Sequence, residues 1–388
     1  MSNLPKGWSL EIFENISTLQ RGTSFTKANL IEGIIPVIAG GKEPAYYHND
    51  YNREGETITI SGSGANAGFV NYFDTKIFVS DGFTVKGIND ISLTKYLFYF
   101  LKWKQDYIYF LQSGGAQPHV YLKDIAPLNI SFPPLQEQKK IADILSTVDK
   151  KIAFVEENIN ATEELKKGLM QKLLTEGIGH TEFKDSELGR IPESWEVVKL
   201  EEVCTKIVGG GTPSKNEPDY WNNGTIPWVT PSEFTKSKSN YISVTENKIS
   251  EEGLKNSSAT LLAIGTVIMS SRATIGECKI NTIEITTNQG FISFQCNDLL
   301  NNLYLLYLIK QNKPNILKVS SGSTFLEVSR TSMKNFSIAI PSLEEQKQIA
   351  EILSTVDNKL ENLKEKKQSF EELKKGLMQK LLTGEVRV

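Results

Sequence analysis

Two stretches of the chain carry apolar residues at alternating intervals of three and four. In the first, Ile141, Leu145, Val148, Ile152, Val155 and Ile159 follow one another at spacings of 4, 3, 4, 3 and 4; the second has Ile349, Leu353, Val356, Leu360 and Leu363. That rhythm predicts a heptad seam on a helix that pairs with another helix. After a shift of phase the stripe resumes at Leu165, Leu169 and Leu173, and at Leu373, Leu377 and Leu381, while Lys and Glu fill the other faces. Each stretch begins just after a proline, Pro134 or Pro341, as a helix start often does. At ~1.5 Å per residue each helix is roughly 60 Å long. Alone it would leave a long apolar stripe in water, so each predicts the other as its partner. The ~16 residues from Thr175 to Ile191 reach at most roughly 55 Å, which favours an antiparallel pair with one domain at either end and a pseudo-two-fold axis. An ordinary helical hairpin inside one domain is the alternative.

Elsewhere the pattern changes to short β-type runs: Thr57–Ile60, Lys76–Ser80 and Phe83–Lys86, then Thr266–Met269 and Phe291–Gln295, punctuated by Gly, Asn and Ser. Helical patterns close each region near Leu93–Leu111 and Leu299–Lys310. The fold class is therefore α+β: two α/β domains, each a twisted sheet with long loops, separated by two long antiparallel coiled-coil helices. The expected divisions are 1–133, a first α/β domain; 134–178, a first long helix; 179–341, a second α/β domain; and 342–388, a second long helix.

The two helices are near copies. Leu135–Thr175 and Leu343–Thr383 align without a gap at an offset of 208, with 27 of 41 positions identical, so the chain contains a duplication. Fainter parallels extend upstream: Pro5-Lys6-Gly7-Trp8 with Pro192-Glu193-Ser194-Trp195, Ile35-Pro36-Val37 with Ile226-Pro227-Trp228, Thr57–Ile60 with Thr266–Met269, Gly82-Phe83 with Gly290-Phe291, and Ser113-Gly114 with Ser321-Gly322. The domains thus share a framework and differ in their loops. Gly168 and Gly376 interrupt both helices, which fits a close backbone contact, a kink or a surface glycine equally well.

Composition narrows the function. With 388 residues, 39% hydrophobic and 23% charged, the chain is globular and large enough for more than one core. A net charge of −3 excludes a basic nucleic-acid coat, though not local basic strips. Cys204, Cys278 and Cys296 form no C-x-x-C pair, so buried free thiols in a reducing cytoplasm are expected. The opening residues lack a basic start and apolar core, and Lys102, Lys104, Gln105 and Asp106 break the most apolar run, so neither a signal peptide nor a membrane span is expected.

No chemistry emerges. Ser61–Gly68 lacks the Lys-Ser/Thr ending of a phosphate loop, and His48, His119 and His180 have no partners at metal or nucleophile spacing. No catalytic, cofactor or metal residue is assigned. The loops instead carry types suited to phosphates and base edges: Lys42, Tyr46, Tyr47, Ser63, Asn66 and His119 in the first domain, and Thr230, Ser232, Lys236, Ser271, Arg272 and Thr274 in the second. His48, Ser61, Gln117, Lys238, Ser270, Asn288 and Gln289 stand in the same loops.

The opening P-x-x-W of each half, the L-x-E-Q-K-x-I-A-x-I-L-S-T-V-D run at each helix start and the ELKKGLMQKLL run at each helix end resemble the specificity (S) subunit of type I restriction–modification enzymes. The likeness covers nearly the whole chain. It implies a non-catalytic subunit whose two recognition domains each read one half of a bipartite, asymmetric stretch of double-stranded DNA. The helices would set the spacing and dock two methyltransferase (M) subunits, which restriction (R) subunits join. S-adenosylmethionine would then sit on M, and ATP with Mg on R. The other readings are a coiled-coil scaffold with two protein-binding domains and an unrecognised DNA-modifying enzyme.

Overall fold

The computed structural model describes residues 4–236, 238–272, 274–320 and 326–388. Ser321 and Gly322, paired above with Ser113 and Gly114, lie outside them. The chain divides into two compact units, Met1–Asn158 with Leu363–Val388, and Ile159–Asn362. The two long helices, Leu135–Leu173 and Leu343–Leu382, each contribute a segment to both units.

In the first unit an antiparallel four-stranded sheet runs Ser17–Arg21, Phe83–Gly87, Thr57–Ile60, Val70–Phe73. Thr57–Ile60 alternates Thr with Ile, and all four residues are buried because both faces of this central strand are covered. Ile58, Ile60, Phe83 and Val85 pack against the helix Thr94–Trp103 through Leu97, Phe100 and Leu101. The aromatic run read as one helix over 93–111 is two, Thr94–Trp103 and Gln105–Phe110. A smaller mixed sheet places Glu32–Ile38 between Tyr46–His48, antiparallel, and Phe78–Val79, parallel.

The second unit repeats this plan with a five-stranded sheet, ordered Cys204–Gly209, Phe291–Cys296, Val267–Ser270, Cys278–Asn281, Tyr241–Ile242. Its small sheet puts Ile226–Val229 between Asn247–Ile249, antiparallel, and Thr286–Thr287, parallel. The helix Asn302–Gln311 covers the core, its first turn capped by the Asn301 side chain accepting from Tyr304 N.

One repeat parallel is off by a residue. Phe83 pairs with Ile60 and faces the helix; in the second unit that place belongs to Ile292, paired with Met269. Phe291 points to the other face, 4.8 Å from Phe234 between ring centroids. Matching Gly82-Phe83 to Gly290-Phe291 by sequence missed this, because a slip of one residue in a strand exchanges its faces.

Within each unit the two helical segments run in opposite directions. In the first, Asp149 lies 2.5 Å from Lys374 and Glu156 lies 2.8 Å from Lys367, so one number falls as the other rises. Ile141 and Leu145 share a core with Met378, Leu381 and Leu382. In the second, Lys166 pairs with Asp357, and Ile349 and Leu353 pack with Leu173 and Leu174. Of the seam residues, Ile141, Leu145, Val148, Val155, Ile349, Leu353 and Leu360 are buried, and Ile152, Val356 and Leu363 are half-buried.

The expected phase shift does not occur. Leu165 and Leu373 are 51% and 49% exposed. The seam continues in phase through Ile159, Thr162, Lys166, Leu169 and Leu173, with Thr162 buried and Lys166 half-buried. Leu169, Leu173, Leu377 and Leu381 of the expected stripe lie on this seam, buried or half-buried, while Leu165 and Leu373 fall beside it because the polar Lys166 and Lys374 take the seam positions. Gly168 and Gly376 are exposed, and a Cβ at either would meet nothing within 4 Å, so neither marks a close contact within the chain.

Candidate nucleic-acid interface

Each domain is fastened to the helices by the same buried polar groups. Gln138, wholly buried, accepts from Leu93 N at 2.9 Å and donates to the carbonyls of Pro133 and Ile91 at 3.0 and 3.1 Å. Gln346, at the offset of 208, accepts from Asn301 N at 2.8 Å and donates to Pro341 O and Leu299 O at 3.0 and 2.9 Å. One side chain thus ties the helix start to the loop that opens the domain's own helix, with its amide satisfied on both ends.

A second anchor lies deeper along the helices. The Tyr99 hydroxyl donates to Asp149 at 2.7 Å, and Asp149 also pairs with Lys374. Tyr307 donates to Asp357 at 2.7 Å, and Asp357 pairs with Lys166. Asn240 adds a 2.7 Å bond to Asp357. Burial alone would raise the Asp357 carboxyl, but the bonds from Lys166, Tyr307 and Asn240 outweigh it and hold it below the ordinary range. Burial, then the neighbouring aspartate, pushes both tyrosines up.

With the domains held this way, their loops gather into a rim. In the first unit Ser63 and Ser113 both bridge to His119. Val120 N donates to Gly62 O at 3.1 Å and Gly64 N to Pro118 O at 3.0 Å. The Ser63 hydroxyl donates to Asp81. A Cβ on Gly40 would sit 2.6 Å from Ser63 O, so the neighbouring loop reaches this point only as glycine. Lys42 and Lys102 stand over the Phe69 ring, 5.5 and 4.6 Å from its centroid, and burial lowers the Lys102 pKa.

In the second unit Arg272 bridges to Glu327 by backbone and by a 2.9 Å ion pair. Ser271 N donates to Gly290 O at 2.9 Å, and Val328 N to Ser271 O at 3.0 Å. The adjoining turn holds Asn288, whose side chain accepts from Gly290 N at 2.9 Å, and Gln289, which accepts from the Thr212 hydroxyl at 2.5 Å. Thr212, Thr230, Asn288 and Gln289 line one cleft with Trp221 and Trp228.

The expected loop residues fall in several places. Ser63 and His119 come together at the first rim, with Asn66 three residues along from Ser63 and Lys42 on the adjoining loop; Tyr46 and Tyr47 are exposed on the strand Tyr46–His48. Thr230 and Ser232 lie 3.2 Å apart at the start of a short helix, and Lys236 pairs with Glu246. Arg272 and Thr274 are exposed. Four expectations are corrected, and Ser61 and Ser270, 5% and 2% exposed, are two of them. Ser271 is only 1% exposed, because its backbone is sewn between Gly290 and Val328 and its side chain turns inward. His48 is buried against Phe25 and Phe78, in an aromatic cluster rather than a loop surface. Sequence reasoning passed over Asp81 and Glu327; Glu327 could have been found as the partner of His119 at offset 208. Among the described residues no group of three or more His, Cys, Asp or Glu converges as a metal site, and no helix is long and apolar enough to cross a membrane.

Comparison with known proteins now bears on this arrangement. Residues 5–164 and 192–372 each match the type I restriction modification DNA specificity domain. The chain is 34% identical over 346 residues, 85% of its own length and 79% of the relative's, to the type I restriction enzyme MjaVIII specificity subunit of Methanocaldococcus jannaschii. It is 31% identical over 299 residues, 76% of this chain and 68% of the relative, to the putative type I restriction enzyme MjaX specificity subunit of the same organism. Its fold resembles the type I restriction–modification S subunit from M. genitalium, at a TM-score of 0.69 and 18% identity over 98% of this chain and 97% of that one. The chain therefore belongs to the type I restriction–modification DNA specificity family, and it carries that family's domain twice.

Proposed function

We propose that this chain is the non-catalytic DNA-specificity subunit of a type I restriction–modification complex. The observation that carries this reading is one backbone frame used twice, with like anchors and unlike rims. Side chains that differ on a shared frame suit two domains that read different base sequences. On this reading residues 1–133 and 179–341 are the recognition domains, and each reads one half of a bipartite, asymmetric target in double-stranded DNA. Lys42, Tyr46, Tyr47, Ser63, Asn66 and His119 serve the first half; Thr230, Ser232, Lys236, Arg272 and Thr274 serve the second. The helical regions 134–178 and 342–388 pair as an antiparallel coiled coil whose length fixes the unread spacer.

Partners follow from the same repeat. The ELKKGLMQKLL runs are identical, yet Leu165 and Leu373 within them are about half exposed and a Cβ on either glycine would meet open space. Two copies of one exposed surface suit two copies of one partner, which we assign as methyltransferase subunits, with restriction subunits joining them in the cytoplasm. S-adenosylmethionine then belongs to the methyltransferase subunits, and ATP with Mg to the restriction subunits.

The test exchanges residues 1–132 for another recognition domain and maps the modified or bound sequence with the assembled complex. One half of the target should change and the other remain. A change in both halves, or in neither, refutes the modular reading.

A further inference from the structure

We infer that Arg272 and Glu327 act as one unit that reads a single G·C base pair in the half of the target taken by the second recognition domain. The inference rests on the DNA-specificity reading above and names the residues and the base pair that it leaves open.

The place is marked by the duplication. In the first unit Val120 N donates to Gly62 O, and the next residue along, Ser63, bridges to His119. In the second, Val328 N donates to Ser271 O, and the next residue along, Arg272, bridges to Glu327. The backbone is the same and the side chains are wholly different. A site whose frame is kept and whose chemistry is replaced is where two readers of unlike sequences should differ. The frame is also stiff, since Ser271 is buried and bonded on both sides.

The pair's chemistry selects a base edge over a phosphate. Glu327 engages Arg272 through Nε at 2.9 Å, and the two side chains are 44% and 48% exposed. The terminal amino groups of the guanidinium complete its fork, and guanine offers O6 and N7 as the matching acceptors. Cytosine, on the other side of the same base pair, offers the N4 amino group that a carboxylate accepts from. A phosphate clamp would be weakened by a carboxylate this close, because the acid repels the anion that the arginine attracts. Nor does stability explain the pair, as a half-exposed ion pair adds little to folding. In the first unit the same place holds the Ser63 hydroxyl, His119 and the nearby Asp81 carboxylate, without a guanidinium at that bridge.

The experiment selects bound duplexes from a randomised DNA library with the full chain in its assembled complex, comparing the natural chain with Arg272→Ala, Arg272→Lys and Glu327→Gln. The natural chain should prefer G·C at one position of one half. Arg272→Ala should lower discrimination there by roughly 10- to 100-fold and leave every other position alone. Arg272→Lys should weaken it to a lesser degree, since lysine can still donate to guanine O6 or N7 but lacks the planar fork. Glu327→Gln should relax the same position to a lesser degree. Retention of the other half in each selection shows that the variant is folded. Weakening at all positions together, with a salt dependence shallower by about one phosphate, would make Arg272 a backbone contact and overturn the inference. So would an unchanged preference at every position with Arg272→Ala. If the natural chain enriches no sequence at all, the DNA-specificity reading itself falls, and the inference with it.

Discussion

Tyr99, Asp149 and Lys374 meet in the first unit as Tyr307, Asp357 and Lys166 meet in the second, whereas at the rim Ser63 and His119 stand where the other unit has Arg272 and Glu327. The anchors have been copied and the rims rewritten. The physical difference is solvent. An aspartate beside the helix seam that loses one partner leaves a partly desolvated charge, so its neighbours change together or not at all. A rim side chain returns to water when its neighbour changes, at small cost. A third region falls between these. Glu137 accepts from Trp8 Nε1 at 3.0 Å and from Arg387, and Glu345 at the equivalent place accepts from Ile178 N and contacts His180 at 2.9 Å. Trp195, the counterpart of Trp8, buries its Nε1 without a hydrogen-bond partner among the described residues. The role of the carboxylate is kept while its partners are exchanged.

The anchors can be broken in order of their burial. Asp357→Ala strands Lys166, Tyr307 and Asn240 and should cost about 2–4 kcal/mol in urea unfolding. Asp149→Ala strands Tyr99 and Lys374 at a side chain that is 35% exposed, against 18% for Asp357, and should cost about 1–2 kcal/mol. Equal costs would mean that the two anchors are not graded by solvent access.

Acid should probe the same groups more gently. The Asp357 and Glu137 carboxyls are both held below their ordinary values: burial opposes this, and the bonds from Lys166 in one case and Arg387 in the other outweigh it. A depressed folded pKa contributes stability above the unfolded value, roughly pH 4, and that stability is lost as the pH falls through the folded value. Melting temperatures of the natural chain should therefore drop between about pH 5 and pH 2, and Asp357→Asn should flatten part of that slope. An unchanged slope would remove Asp357 from the acid response.

The smallest expected effect lies on the exposed helix face. Gly168→Ala and Gly376→Ala should each stabilise the isolated chain by about 0.5–1 kcal/mol, because alanine loses less backbone entropy and meets no neighbour. Destabilisation in the isolated chain would reveal a contact within it. Weaker assembly with methyltransferase subunits, read by sedimentation, would place a partner against the glycines.

Much of this was written openly in the chain. The duplication, the heptad rhythm of Ile141 to Val155 and the strand Thr57–Ile60 follow from local pattern, since a period of 3.5 or 2 states which side of an element is apolar. The rule gave way where polar residues take apolar places. Lys166 and Thr162 occupy the seam, and Leu165 was mistaken for it. The partner of Lys166 lies far away in sequence, Asp357 being 191 positions from it in numbering, and no periodicity links them.

What the sequence determined by itself was the plan: two copies, two helices that need partners, two β-rich domains with polar loops, and the family they resemble. Tertiary structure alone decided which face of Phe291 is inside, that Ser271 is sewn inward while Arg272 remains outside, and that Arg272 meets Glu327. The reason is that an apolar period is a property of neighbouring residues, and a repeat is read by laying one stretch of sequence on another. Register between strands and pairing between loops are set by contacts that close only when distant parts of the chain have packed.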